Sequence, residues 1–146
     1  MLELVPVSQN SMPDFEDTSY AAMSAEDKLC MVRESCIKRH NGAYFELLAV
    51  TDGDQVVGIM NLYAQDVRTI SIGPEIKKRY RRQGYGFRAE TLALLYAKQS
   101  GYTFAFAEVR EDNATSIALH GKLGFVCEGR RVNQHGNPVL LYSKTL

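Results

Sequence analysis

At 146 residues the chain is long enough to bury one real core and too short for two comfortable ones, so residues 1–146 are expected to form a single domain. Hydrophobic residues make up 45% and charged residues 23%, which excludes a disordered or fibrous chain. Seventeen basic residues cancel seventeen acidic ones, so global charge points to no polyanionic partner. No stretch reaches the ~18 consecutive apolar residues of a bilayer span, and Met1-Leu2-Glu3-Leu4 lacks a basic segment leading into an apolar one, so neither membrane insertion nor export is expected. Cys30, Cys36 and Cys127 are odd in number and lack CxxC spacing. They read as reduced thiols in cytoplasm rather than a disulfide framework or a zinc knuckle, and no metal is expected.

The first apolar run, Leu2 to Val5, predicts a strand. A polar stretch with Pro13 follows, then a helix from about Ser24 to Arg39. Ser24 is a good N-cap with Asp27 three residues on, and Leu29, Val32, Cys36 and Ile37 should form the inward stripe. Tyr44 to Thr51 and Gln55 to Tyr63 are β-rich runs joined by Asp52-Gly53-Asp54, a hairpin whose three-residue loop requires a bulge. A strand from about Arg68 to Ile76 carries Gly73-Pro74. Proline cannot donate to a ladder, so an irregularity and local unpairing are expected there.

Phe87 to Ser100 reads as a helix with Leu92, Leu95 and Tyr96 on one face and Gly101 as its stop. Tyr102 to Val109, apolar apart from Thr103 and Glu108, looks like a strand buried on both faces. Asp112 or Asn113 caps a short helix through Leu123, ended by Gly124. Phe125 to Val132 and Pro138 to Ser143 then form a hairpin about Gln134-His135-Gly136-Asn137. The order is strand, helix, three strands, helix, strand, helix, two strands.

Lys77, Lys78, Arg79, Arg81, Arg82 and Arg88 fall close together with no acid among them, a local cationic patch. Inside it, Arg81-Arg82-Gln83-Gly84-Tyr85-Gly86 lies between a strand and a helix. Two glycines there let the backbone approach a ligand, and the free N–H groups of a first helical turn can hold a phosphate. The same fragment also suits a plain tight corner. It is neither a Walker loop nor a complete dinucleotide fingerprint, which demotes nucleoside triphosphates and NAD.

Arg81-x-x-Gly84-x-Gly86 after a strand ending in Ile76 resembles the pyrophosphate signature of the GCN5-related N-acetyltransferases, the GNAT family. Asn113-x-x-Ser116-Ile117-x-Leu119, Lys122-Leu123-Gly124-Phe125 and Glu128-Gly129 look like its second signature. The match runs from about Ile70 to Arg130. Ala107-Glu108-Val109-Arg110 with Asn113 looks most like family members that acetylate protein amino termini, including the ribosomal-protein alanine type.

The resemblance implies an α/β (α+β) fold: a mixed, mostly antiparallel sheet of about seven strands, with splayed parallel fourth and fifth strands, and about four helices. It implies acetyl-CoA as cosubstrate and no metal. The pantetheine arm would bond to backbone around Pro74, Glu75 and Ile76, although Gly73-Pro74 could equally be an edge kink. Arg81, Arg82, Gln83, Gly84, Tyr85, Gly86 and Phe87 would hold the diphosphate, with Asn113 and Ser116 nearby.

Glu108 is the only acid in its strand. It reads either as the base that takes the amine proton, as the resemblance implies, or as a strand-end carboxylate paired with an arginine such as Arg110; Glu75 is the second candidate base. Asn113 can cap the helix, bind the cofactor arm, or both. His120 stands where many relatives have a tyrosine that protonates the thiolate. An ordinary imidazole, pKa near 6.5, is only about a quarter protonated at pH 7, so His120 is either a weakened acid or a helix-surface histidine. Tyr85 and Tyr142 are spare phenols.

The reading is therefore acetyl transfer to a primary amine, peptide amino terminus or small molecule, in a ternary complex. The alternative is a non-catalytic acyl-CoA sensor or interaction protein. Nucleic-acid binding by the patch is disfavoured by the zero net charge, and the protein is expected to be a cytoplasmic monomer or homodimer.

Overall fold

The computed structural model describes residues 1–146. Seven strands form one sheet: β1 (Leu2–Pro6), β2 (Phe45–Asp52), β3 (Gln55–Ala64), β4 (Thr69–Ile76), β5 (Phe104–Arg110), β6 (Val126–Val132) and β7 (Pro138–Thr145), in the order β1-β2-β3-β4-β5-β7-β6. All neighbours are antiparallel except β4 and β5. Three α-helices, α1 (Ala25–Cys36), α2 (Tyr85–Gln99) and α3 (Ala114–Lys122), and two 3-10 turns, Ser19–Ala22 and Lys78–Tyr80, complete the chain. The element order and mixed sheet agree with the sequence expectation. No helix is long and apolar enough to cross a membrane.

The helices lie on opposite faces of the sheet. Val32 of α1 packs with Phe45, Leu47, Ala49 and Ile59, while Ala89, Ala93, Leu94 and Ala97 of α2 pack with Leu48, Val50, Met60, Leu62, Ile70 and Ile72. Alternation of side chains along each strand separates the two sets. Burying either set removes enough apolar surface to matter, at roughly 25 cal/mol per Å².

Several local expectations change. In α1 the inward residues are Val32 and Ser35, while Cys36 is exposed and Ile37 is 72% exposed, because the helix ends at Cys36 and Ile37 lies beyond its last turn. Ser35 is tolerated inside because its hydroxyl bridges Leu47 N–H (2.7 Å) and Leu47 C=O (3.2 Å). In α2 the buried face carries alanines rather than Leu92, Leu95 and Tyr96; Leu95 is 53% exposed. Small side chains let this helix sit close on the sheet. The β2–β3 loop is the two residues Gly53-Asp54, with Asp52 paired to Gln55, and the bulge falls one step inside, at Val50/Thr51. Gly53 supplies the positive φ, +60°, that such a turn requires.

β5 is not buried on both faces. Ala105, Ala107 and Val109 are buried beside α2 and α3, whereas Phe104, Glu108 and Arg110 are exposed, because no helix covers that end of the other face.

Candidate active site

β4 and β5 pair only at Thr69–Phe104, Ile70–Ala105 and Ser71–Phe106, and separate beyond. Gly73-Pro74 brings no irregularity into the β3 ladder, where register is unbroken from Ala64–Ile70 to Gly58–Ile76, and the expected local unpairing falls on the other edge, where β4 has already left β5. The ladder explains why. Lys77 N–H bonds Val57 C=O (2.9 Å) and Gln65 N–H bonds Thr69 C=O (2.8 Å), so odd-numbered residues of β4 direct their backbone groups to β3 and even-numbered ones to β5. Pro74 is even-numbered. Its missing N–H faces the open side, where no ladder bond is lost.

The same register sorts the three residues expected to meet the cofactor arm by the edge their backbone faces. The backbone of Glu75 is committed to Ile59 across the ladder and Ile76 C=O accepts from Arg81 Nε, leaving Pro74 C=O and Ile76 N–H as the uncommitted backbone groups of residues 74–76 on the gap side. Across from them, Glu111 N–H bonds Pro138 C=O (3.1 Å) and Leu146 N–H bonds Thr103 C=O (2.9 Å), so Glu108 turns its backbone groups away from β7 and toward β4.

The glycine loop closes the upper end of this gap. Arg82 and Gly84 have φ of +64° and +80°, and Gly84 is the N-cap of α2. Ser24 caps α1 and Asn113 caps α3, each with a side-chain oxygen; α2 has no side-chain cap and no acid in its first turn. Its first N–H groups and dipole end are therefore available to an anion. A Cβ at Gly86 would sit 3.9 Å from Leu119 Cδ2 and 4.0 Å from Ile76 Cγ1, so this glycine marks the junction of α2, α3 and β4.

Around the loop, Arg81 Nε donates to Ile76 C=O (3.1 Å), and Gln83 is exposed. Tyr85 Oη donates to Asp52 Oδ2 (2.6 Å), which ties the loop to the sheet and commits that phenol. Lys122 Nζ lies 4.4 Å above the Phe87 ring. Lys78, Arg79, Arg81, Arg82 and Arg88 are exposed, but Lys77 leaves the patch: its side chain is 1% exposed and its Nζ bonds Asp14 Oδ2 at 3.0 Å.

That bond belongs to a strap, residues 14–20, laid against the end of β4. Ser19 offers its N–H (2.6 Å) and its hydroxyl to the two Glu75 oxygens, and Asp17 Oδ2 accepts from Arg79 N–H (2.9 Å). Glu75, the second candidate base, is thus the anchor of the strap. The Glu16 N–H first, and then Lys77, hold the Asp14 carboxyl below its ordinary range. A depressed carboxyl contributes stability that is present above its unfolded pKa and lost as pH falls through the native one. Asp14→Asn should therefore be less stable at pH 7 by about 2 kcal/mol, having left Lys77 buried without its partner, and should lose part of the wild type's acid sensitivity below about pH 4. Urea denaturation at several pH values checks both.

Glu108 projects from the face of β5 opposite α2 and α3. Its side chain is 30% exposed and meets Arg131 Nη2; Arg110, the arginine suggested by sequence, instead pairs with Asp112 (2.8 Å). Asn113 Oδ1 accepts from Ser116 N–H at 3.0 Å, the capping half of its expected role.

His120 is no surface residue. It is 5% exposed, its ring contacts Phe125 (5.0 Å between centroids) and Tyr142 (5.9 Å), and its Nδ1 donates to Ser116 C=O at 2.8 Å. Glu90, which sequence reading passed over, approaches its Nε2 at 3.2 Å. Burial pulls the imidazole down, but contact with Glu90, its charge and the Ser116 carbonyl outweigh burial, so the pKa stands above 6.5.

Two open grooves, of about 570 and 530 Å³, flank α1, and no residue of β4, β5 or the glycine loop lines either. The gap is defined by parted strand edges.

A parallel pair that parts beside an uncapped helix amino terminus defines the class to which this chain belongs. Residues 7–125 match the acetyltransferase (GNAT) family, and the chain is a member of it. Among solved structures it is similar to an acetyl-CoA-bound GNAT acetyltransferase from Elizabethkingia anophelis (18% identity, TM-score 0.77, covering 99% of this chain and 98% of that one). It is also similar to a spermidine N-acetyltransferase chimera from Vibrio cholerae and hSSAT (15%, 0.82, 98% and 95%). A third is an acetyltransferase from Salmonella typhimurium that modifies the N-terminal serine of ribosomal protein L7/L12 (16%, 0.81, 99% and 95%). At these identities the likeness is one of fold. No curated protein sequence matches.

Proposed function

We propose that this acetyltransferase carries the acetyl group of acetyl-CoA to an α-amino group of a peptide or protein by direct transfer in a ternary complex. The observation that supports this reading is the parting of β4 from β5 beyond Ser71–Phe106, beside an α2 amino terminus that has no side-chain cap. In this reading the α2 amino terminus holds the diphosphate, with cations about it to raise local ligand concentration. The pantetheine arm bonds to Pro74 C=O and Ile76 N–H as an added strand would. The amine arrives on the α1 side of the sheet, where Glu108 takes its proton directly or through a water, and His120 protonates the sulfur on the other side.

An α-amino group, pKa near 8, gives up its proton far more readily than a lysine near 10.4, which suits a base as solvated as Glu108. Three structures of ribosomal L7/L12 amino-terminal acetyltransferases stand among the fold neighbours, which supports that choice. Three free, exposed cysteines suit a reducing cytoplasm.

A thiol-release assay with acetyl-CoA and a panel of amino-terminal peptides, free amino acids, polyamines and aminoglycosides tests the proposal. Release is expected with the peptides. Tight coenzyme A binding without release from any amine supports a sensor instead, and release from polyamines alone moves the acceptor class.

A further inference from the structure

On the α1 face of the sheet β4 presents Ser71, Gly73 and Glu75, since Ile70 and Ile72 alternate with them and pack under α2. Ser71 Oγ accepts from Gln65 Nε2 at 2.7 Å, and Glu75 is held by Ser19, so both side chains are committed. Gly73 between them is exposed. Its φ lies outside the left-handed region, and a Cβ on it would meet only Asn61, at ordinary contact distances of 3.8 Å from Cβ and 3.9 Å from the carbonyl oxygen. Neither backbone conformation nor packing asks for glycine here.

What the missing side chain opens is a crossing. Gly73 pairs with Asn61 of β3, and continuing the β4–β5 register beyond Ser71–Phe106 sets Glu108 on the same line. At about 4.8 Å per strand, and more across the parted pair, Glu108 stands on the order of 10 Å from Asn61. At Asn61 the 530 Å³ groove between α1 and the sheet begins, floored by Asn61, Tyr63 and Phe45 and walled by Met23, Asp27 and Met31. Glu34 also borders it but is bound to His40 at 2.5 Å, and no lysine or arginine lines it. Asp27 gives its N–H to the Ser24 cap, while its carboxylate takes no hydrogen bond or ion pair. The groove thus offers thioethers and rings to an apolar stem and a free carboxylate to a charged end.

We propose that this groove is the subsite for the second residue of the acceptor peptide and that it takes a long cationic side chain, lysine or arginine. This rests on the peptide reading above and gives it a sequence preference. With the α-amine beside Glu108, an extended chain crosses β4 over Gly73, where a side chain would stand in its way. The second Cα lies roughly 5 Å from the reacting nitrogen and a lysine stem spans about 6 Å more, which together reach the groove. The stem lies along Met23 and Met31, whose thioethers adapt to it, and the cation meets Asp27. An acidic side chain at the same position faces that carboxylate and is repelled.

The experiment compares three peptides that differ only at the second residue, lysine, norleucine or glutamate, in the thiol-release assay with acetyl-CoA. In wild type kcat/KM should fall in that order, lysine exceeding norleucine by about fivefold and glutamate by about tenfold or more. Norleucine keeps the stem and drops the charge, so the first ratio reads the charge alone. Asp27→Asn should bring that ratio close to one, and Asp27→Lys should put glutamate ahead of lysine. Gly73→Val, a residue at home in a strand, should erase the preference by closing the crossing. A wild-type ratio near one overturns the proposal, as does a lysine preference undiminished in folded Asp27→Asn. Should neither Asp27 variant fold, Gly73→Val decides: a preference lost there sustains the proposal, and a preference kept overturns it. No thiol release with any peptide defeats the peptide reading itself, a result distinct from a rate that ignores the second residue.

Discussion

Glu108→Gln should lower kcat by about 10²- to 10³-fold near neutral pH while leaving the Kd for acetyl-CoA within about twofold. The split follows from geometry. The Glu108 side chain leaves β5 on the face opposite α2 and α3, away from the glycine loop, so it touches no group assigned to the cofactor. Glutamine keeps the shape and can still accept from Arg131, but it cannot take a proton. Above the pKa of the acceptor amine the nucleophile is already neutral and the base matters less, so the deficit should be largest at low pH and shrink toward pH 9. An unchanged pH–rate profile would remove Glu108 from the role, and a matching loss of coenzyme A affinity would assign it to binding.

Gly58→Ala should be the most damaging small substitution, costing about 3 kcal/mol and most of the coenzyme A affinity. A Cβ on Gly58 would lie 2.5 Å from Glu75 C=O, 3.0 Å from Ile76 Cδ1 and 3.1 Å from Ile76 Cα. Two of those three neighbours are backbone, so no rotamer change relieves the clash; β4 itself must move. The backbone that moves carries Ile76, whose N–H faces the gap. Denaturation midpoints and calorimetric titration with coenzyme A should fall together. A stable variant with intact binding would mean that β4 can shift without disturbing the cleft.

Most of the architecture could be read from the sequence because it rests on local signals: Ser24 and Asn113 as caps, Gly53 in the turn, Gly84-x-Gly86 before a helix. What failed was directional. Leucines suggested the inward face of α2, yet the buried stripe Ala89, Ala93 and Ala97 is made of small residues, which match the close approach of helix to sheet rather than any hydrophobicity maximum. Read as a helical row, Gly86, Glu90, Ala93 and Ala97 would have marked Glu90 as a carboxylate on a buried face. Gly73-Pro74 suggested a break because sequence cannot tell which edge of a strand a proline faces. Glu108 suggested Arg110, a neighbour in sequence, whereas its partner, Arg131, lies on β6 and reaches it across the sheet.

The orientation of Pro74 has a wider consequence. Two bare strand edges facing each other tend to join, and a bare edge invites a stranger's strand as well. With the proline ring on the inner rim of β4, one rung of that would-be ladder can never form, so the cleft is kept from zipping shut while it waits for a guest. An alanine at 74 would restore the rung and let the resting protein close upon itself.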